Sequence, residues 1–228
     1  MRNLEDSLKG LDHHYIEMLK YLSRNFDANL AMLENAKFDS TLYGESKIME
    51  DSINAFEVKI KEDCIITIAR FQPAAKNLRK LVMIINSVRV IERMGDLLKA
   101  NLKIIRDIEK KSPTLAIELT NMVYPVAKKI KDIYDLYVKS FIENDTSTLY
   151  DILYLDEEID TIMKNNDIKF LELMKLTPDN IDGGSLLILL DKKFERLSDH
   201  IVHLVTDLIY ILKGENMRKM ELISRTED

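Results

Sequence analysis

The sequence predicts an all-α protein made of two tandem three-helix bundles related by internal duplication. Three observations lead there. The chain of 228 residues holds only 6 Gly and 4 Pro, whereas an all-β fold would need turn residues every 8–12 positions or so. Its apolar residues, 46% of the total, recur at helical spacing over long unbroken segments. Several landmarks then return in the same order about one hundred residues later, a period far beyond that of solenoid repeats. Each copy is therefore a complete helical unit, with the division drawn at residues 1–110 and 111–228.

The elements follow in order. A first helix is expected from Leu11 to Glu34, a second from Ser46 to Arg70 and a third from Ala75 to Ile108. "EKKSP" interrupts, and "SPT" reads as a helix start, with Ser112 as cap and Pro113 at the first helical position. The fourth helix runs to Glu143, with Pro125 inside it as a kink. A fifth is expected from Leu149 to Leu173 and a sixth from Ser185 to Leu212, stopped by Gly214. The charged end "NMRKMELISRTED" should fray. The duplication shows as "MLEN" (32–35) answered by "FIEN" (141–144), Gln72–Pro73 by Thr177–Pro178, and Glu92/Asp96 by Glu195/Asp199. Short loops make the helices of each copy antiparallel neighbours.

Composition removes several function classes. At this length roughly 70% of the unfolded chain's surface is buried, so the core needs no disulfide or metal. A formal net charge of −6, with no basic run longer than three, lacks the surface that nucleic acid requires. The single Cys64 reads as a buried thiol. The N-terminal "MRNLEDSLKG" has no apolar core of a secretory leader, and no window reaches the length of a membrane span, so a cytoplasmic location is expected. No Walker loop, dinucleotide turn, His-Glu-x-x-His or Glu-x-x-His motif is present, and no catalytic constellation is expected.

The acidic pairs carry the functional reading. In the third helix the apolar stripe Leu81, Ile84, Ile85, Val88, Ile91 continues into Glu92 and Asp96. In the sixth, the stripe is Leu187, Leu190, Phe194, Leu197, Ile201, Leu204 and Leu208, flanked by Asp191, Glu195, Asp199, His203 and Asp207. Each four-residue step drifts about 40° around the helix, so one ion could reach only the middle three. Residues four apart share a helix face, and two carboxylates there repel unless a cation joins them. The second helix of each copy adds Glu50 and Asn54, then Asp156 and Asp160. Oxygen ligands with at most one imidazole suit Mg²⁺, Mn²⁺ or iron. The competing reading is a solvated face, or pairing with neighbours such as Arg93, Arg196 or Lys99.

The stretch "CIITIARFQPAAKNLRKLVMIINSVRVIERMGD", with "FERLSDHIVHLVTDLIYILKGE" in the second copy, resembles the PhoU family of phosphate-regulon accessory proteins along essentially the whole chain. The resemblance implies iron, manganese, magnesium or zinc held by E(D)-x-x-x-D motifs, which fall on Glu92/Asp96, Glu195/Asp199, Glu50–Asn54 and Asp156–Asp160. Where the family often places an Asn, this chain has Ala100 and His203, and Ser198 replaces the Gly retained as Gly95. These departures predict a weaker first site and a nitrogen ligand, His203, at the second. The resemblance further implies a non-enzymatic negative regulator of phosphate uptake that docks on the phosphate ABC transporter's ATPase and on a membrane sensor histidine kinase. Membrane contact would come only through those partners, and pairing with a second copy is a further expectation. The alternatives are a metal-dependent hydrolase using the same carboxylates, a helical scaffold, and an accessory protein of a different phosphate transporter.

Overall fold

The computed structural model describes residues 3–215, and the terminal segment expected to fray lies outside them. Among the described residues there are six long helices and no strand. They are α1 (Leu4–Glu34), α2 (Ser40–Phe71), α3 (Ala75–Lys111), α4 (Tyr124–Glu143), α5 (Leu149–Leu176) and α6 (Ile181–Lys213). Helices α1, α2 and α3 pack on one another, as do α4, α5 and α6. Contacts of α3 with α6 and of α1 with α4 join the two sets. The buried apolar side chains form one continuous cluster through both.

Helices α3 and α5 begin where expected, at Ala75 and Leu149, whereas α1 and α2 begin earlier than apolar periodicity predicts because capping side chains extend them beyond the buried stripe. Asn3 accepts from the Asp6 amide at 2.8 Å while Asp6 reaches back to the Asn3 amide, so α1 starts at Leu4 rather than Leu11. Asp39 accepts from Thr41 and Leu42, which starts α2 at Ser40 rather than Ser46. At the other ends, Gln72 and Asn144 take left-handed backbone conformations, and Gly214 closes α6 at φ 83°.

Two local expectations are corrected. Ser112 caps nothing by its side chain; it ends α3, and a 3₁₀ turn, Pro113–Leu115, follows it. Ser112 is buried against α6, where a Cβ on Gly183 would lie 2.5 Å from the Ser112 Cβ. The glycines of "IDGGS" therefore belong inside α6, where they allow close approach to Ser112 and to Met174 of α5. Pro125 disturbs its helix through a π-helical segment, Leu119–Val123, immediately before it. Proline cannot donate to the carbonyl four residues back, and the wider turn accommodates that loss.

Tyrosines bridge the sets. Tyr15 and Tyr137 share a buried hydroxyl–hydroxyl hydrogen bond of 2.7 Å, and Tyr134 donates to the Leu19 carbonyl at 2.7 Å. Cys64 is fully buried on α2, where burial first and Asp63 second push its thiol up to about 12.

Candidate metal-binding faces

The first acidic face lies between α2 and α3. Glu50 is 7% exposed, and its carboxylate accepts from Lys99 Nζ at 2.8 Å and from Asn54 Nδ2 at 3.0 Å. Burial opposes its charge, but the ammonium and the amide outweigh it and hold the carboxyl below its usual range. Lys99 Nζ also stands 3.7 Å from Asp96 Oδ1. Glu92 is half-buried on the same side. Burial first, then the charges of Asp96, Glu57 and Glu50, raise its pKa. The structure thus gathers Glu50, Asn54, Glu92 and Asp96, with a lysine among them.

The second face lies between α5 and α6. Asp156 accepts from the Ser198 hydroxyl at 2.5 Å. Burial raises its pKa against that donation, with Asp160 and Asp199 adding to the rise. Asp199 is raised by burial, then by Glu195 and Asp160. Glu195 turns outward to Lys192 at 2.6 Å, and Lys192 also holds Asp167 at 3.0 Å. His203 is exposed one turn beyond Asp199, with its ring 6.3 Å from that of His200. Among the described residues no three His, Cys, Asp or Glu side chains form a ready ligand set. An ion entering either face would therefore have to draw the carboxylates together by side-chain rotation.

The donor chemistry of the second face fits a hard divalent cation: mutually repelling carboxylates from two adjacent helices, of which only Glu195 is paired with a lysine, Lys192. The first face offers similar oxygens but already holds an ammonium. Asp191 leaves the column predicted for it. It is 1% exposed in the core, faces Asn166 Nδ2 at 3.5 Å, and its Oδ2 has no hydrogen-bond partner.

The PhoU domain matches this chain twice, over residues 15–105 and 124–208. The chain belongs to the PhoU domain family. Each stretch contains one of the two faces. The phosphate-specific transport system accessory protein PhoU homolog of Pseudomonas putida is 28% identical over 204 residues, 89% of this chain and 77% of its own. PhoU homolog 1 of Thermotoga maritima is 27% identical, over 95% of this chain and 92% of its own length. The crystal structure of PhoU from Pseudomonas aeruginosa superposes with a TM-score of 0.84 at 23% identity, covering 93% of this chain and 100% of that one.

Within this PhoU fold, one feature escaped the sequence reading. Arg93 and Arg196, candidates for neutralising the acids beside them, form no ion pair among the described residues. Instead they line a groove between α3 and α6 with Lys193, His200 and Asp96. Only the packing of α3 on α6 brings these groups together; their spacing in sequence carries no such signal.

Proposed function

We propose that this protein is a non-enzymatic regulator of inorganic phosphate uptake and phosphate-starvation signalling, built from two halves, residues 1–110 and 111–228. It acts in the cytoplasm by docking on the ATPase of a phosphate ABC transporter and on a membrane sensor histidine kinase, with a homodimer as one assembled form. The observation that carries this reading is the tandem family match across both halves.

The surface supports docking. In the register that pairs Glu50 with Asp156, Ile48 corresponds to Tyr154 and Ile65 to Leu171. These side chains are 67%, 71%, 60% and 48% exposed. Apolar groups left in water at matched places on both copies fit a recurring partner surface better than scattered exposure does. On the second face Asp156, Asp160, Glu195 and Asp199 would hold a cation (Mn, Mg, Fe or Zn), with His203 as the nearest nitrogen donor. The cation would neutralise the carboxylates that Lys192 does not reach and tie α5 to α6.

Deleting the gene tests the reading. Phosphate-uptake genes should be expressed in high phosphate in the deletion strain, and the purified protein should release no phosphate from model esters with Mn²⁺ or Mg²⁺. Normal repression in the deletion strain would overturn it.

A further inference from the structure

We infer that the first acidic face is closed to metal because Lys99 serves as its built-in counter-cation, leaving cation dependence to the second face alone. The second part of this inference rests on the metal reading above; the first part does not.

The two faces compare residue by residue. The register that pairs Glu92 with Glu195 and Asp96 with Asp199 sets Val202 opposite Lys99, and the register of the second helices sets Asp156 opposite Glu50. In the first face one ammonium contacts a nearly buried carboxylate of α2, at 2.8 Å, and approaches a carboxylate of its own helix, at 3.7 Å. Linking α2 to α3 through their acids is the structural work that a shared metal ion would do. The lysine does it with a single charge delivered by the chain itself. A divalent cation would have to displace that ammonium or sit against it, and like charges at such separations repel strongly where solvent is partly excluded.

The second face has no ammonium on the carboxylate that matches Glu50. Val202 brings no charge, and Asp156 is held by a neutral hydroxyl from Ser198. Lys192, one turn before Glu195, bridges α6 to α5 by holding Glu195 at 2.6 Å and Asp167 at 3.0 Å, but Asp156, Asp160 and Asp199 form no ion pair among the described residues. The serine is part of the same exchange. A Cβ at the equivalent Gly95 would lie 3.3 Å from Ile53 Cδ1, so the first copy has little room for a hydroxyl and its carboxylate is served by the lysine instead.

Thermal melting of the full chain, with chelator or with excess Mn²⁺, tests this in a background where the second face is removed (D156N, D160N, E195Q and D199N together). With Lys99 present, Mn²⁺ should leave the melting temperature unchanged. Adding Lys99→Val should lower it in chelator, since Glu50 loses its partner, and Mn²⁺ should then raise it by several degrees through binding to the native state alone. Lys99→Gln serves the same comparison if the valine variant does not fold, and equilibrium dialysis with Mn²⁺ reads the new site directly. A Mn²⁺ response in the background protein that disappears with Glu50→Gln would overturn the inference. So would a Lys99 variant that gains no Mn²⁺ binding. Separately, the wild-type chain's response to Mn²⁺ reports on the second face, so failure there is distinguishable from failure here.

Discussion

Asp191 is the residue whose environment departs furthest from what its type prefers. Burial, partly opposed by the Asn166 amide and reinforced by Asp167, pushes its carboxyl up to about 7. In the duplication register its counterpart is Val88 and that of Asn166 is Ile60, both fully buried. The second copy has therefore exchanged an apolar contact for a polar pair. The sign of the consequence follows from linkage. An unfolded aspartate loses its proton near pH 4, whereas the folded one keeps it to about pH 7. The stabilising effect of that retained proton is complete below about pH 4 and is lost as pH rises through 7. Replacing Asp191 with Asn should remove this slope. Urea unfolding at pH 8 should show the variant more stable by up to about 4 kcal/mol, with the difference vanishing by about pH 4. Ser198 offers an opposite case. Ser198→Ala strips Asp156 of its hydroxyl donor and should cost about 1–2 kcal/mol at pH 7, read by the same method.

Among the elements, α1 and α4 show how the two copies are held together. The hydroxyls of Tyr15 and Tyr137, each 1% exposed, have each other as hydrogen-bond partners across that seam. Burial raises the pKa of both, so they stay neutral throughout the working range. Tyr15→Phe should cost about 1–3 kcal/mol by stranding the Tyr137 hydroxyl, Tyr137→Phe should cost less because Tyr15 keeps Ser87 as a partner, and the double variant should cost less than the two together. A double-mutant cycle by chemical denaturation checks this, and strictly additive losses would deny the contact. The order of the helices and the breaks at Pro73, Pro113, Pro178 and Gly214 were legible in the sequence, because proline and glycine act locally. The starts of α3 and α5 were legible too, but those of α1 and α2 were not, since Asn3 and Asp39 cap polar turns that carry no apolar rhythm. The acidic pairs were legible as pairs, being one turn apart on one helix. Their fates were not. Lys99, one of the neutralising neighbours the sequence offered, takes Glu50 across two helices, and Asp191 turns inward toward Asn166 of α5; only the packing shows which partner each takes.

At the scale of the whole molecule, the duplication sets two similar surfaces on one chain. Among the described residues no helix is long and apolar enough to cross a membrane, and the docking proposed above calls for a surface that a partner can cover. The exposed apolar positions of α2 and α5 offer one in duplicate, and they lie apart from the shared core. Ile65 and Leu171 are its most informative members, because they occupy equivalent positions and both are exposed. Exchanging exposed apolar side chains for charged ones changes stability by only about 0.5 kcal/mol. In a partner interface the same exchange places an unpaired charge in a desolvated patch, at a cost of several kcal/mol. The double variant Ile65→Glu, Leu171→Glu should therefore melt and accumulate like the wild type, yet leave phosphate-uptake genes expressed in high phosphate. Each single variant should weaken repression less than the pair if both copies engage a partner. Full repression by the double variant, at normal protein abundance, would remove this face from the docking surface and direct the search to the basic groove between α3 and α6.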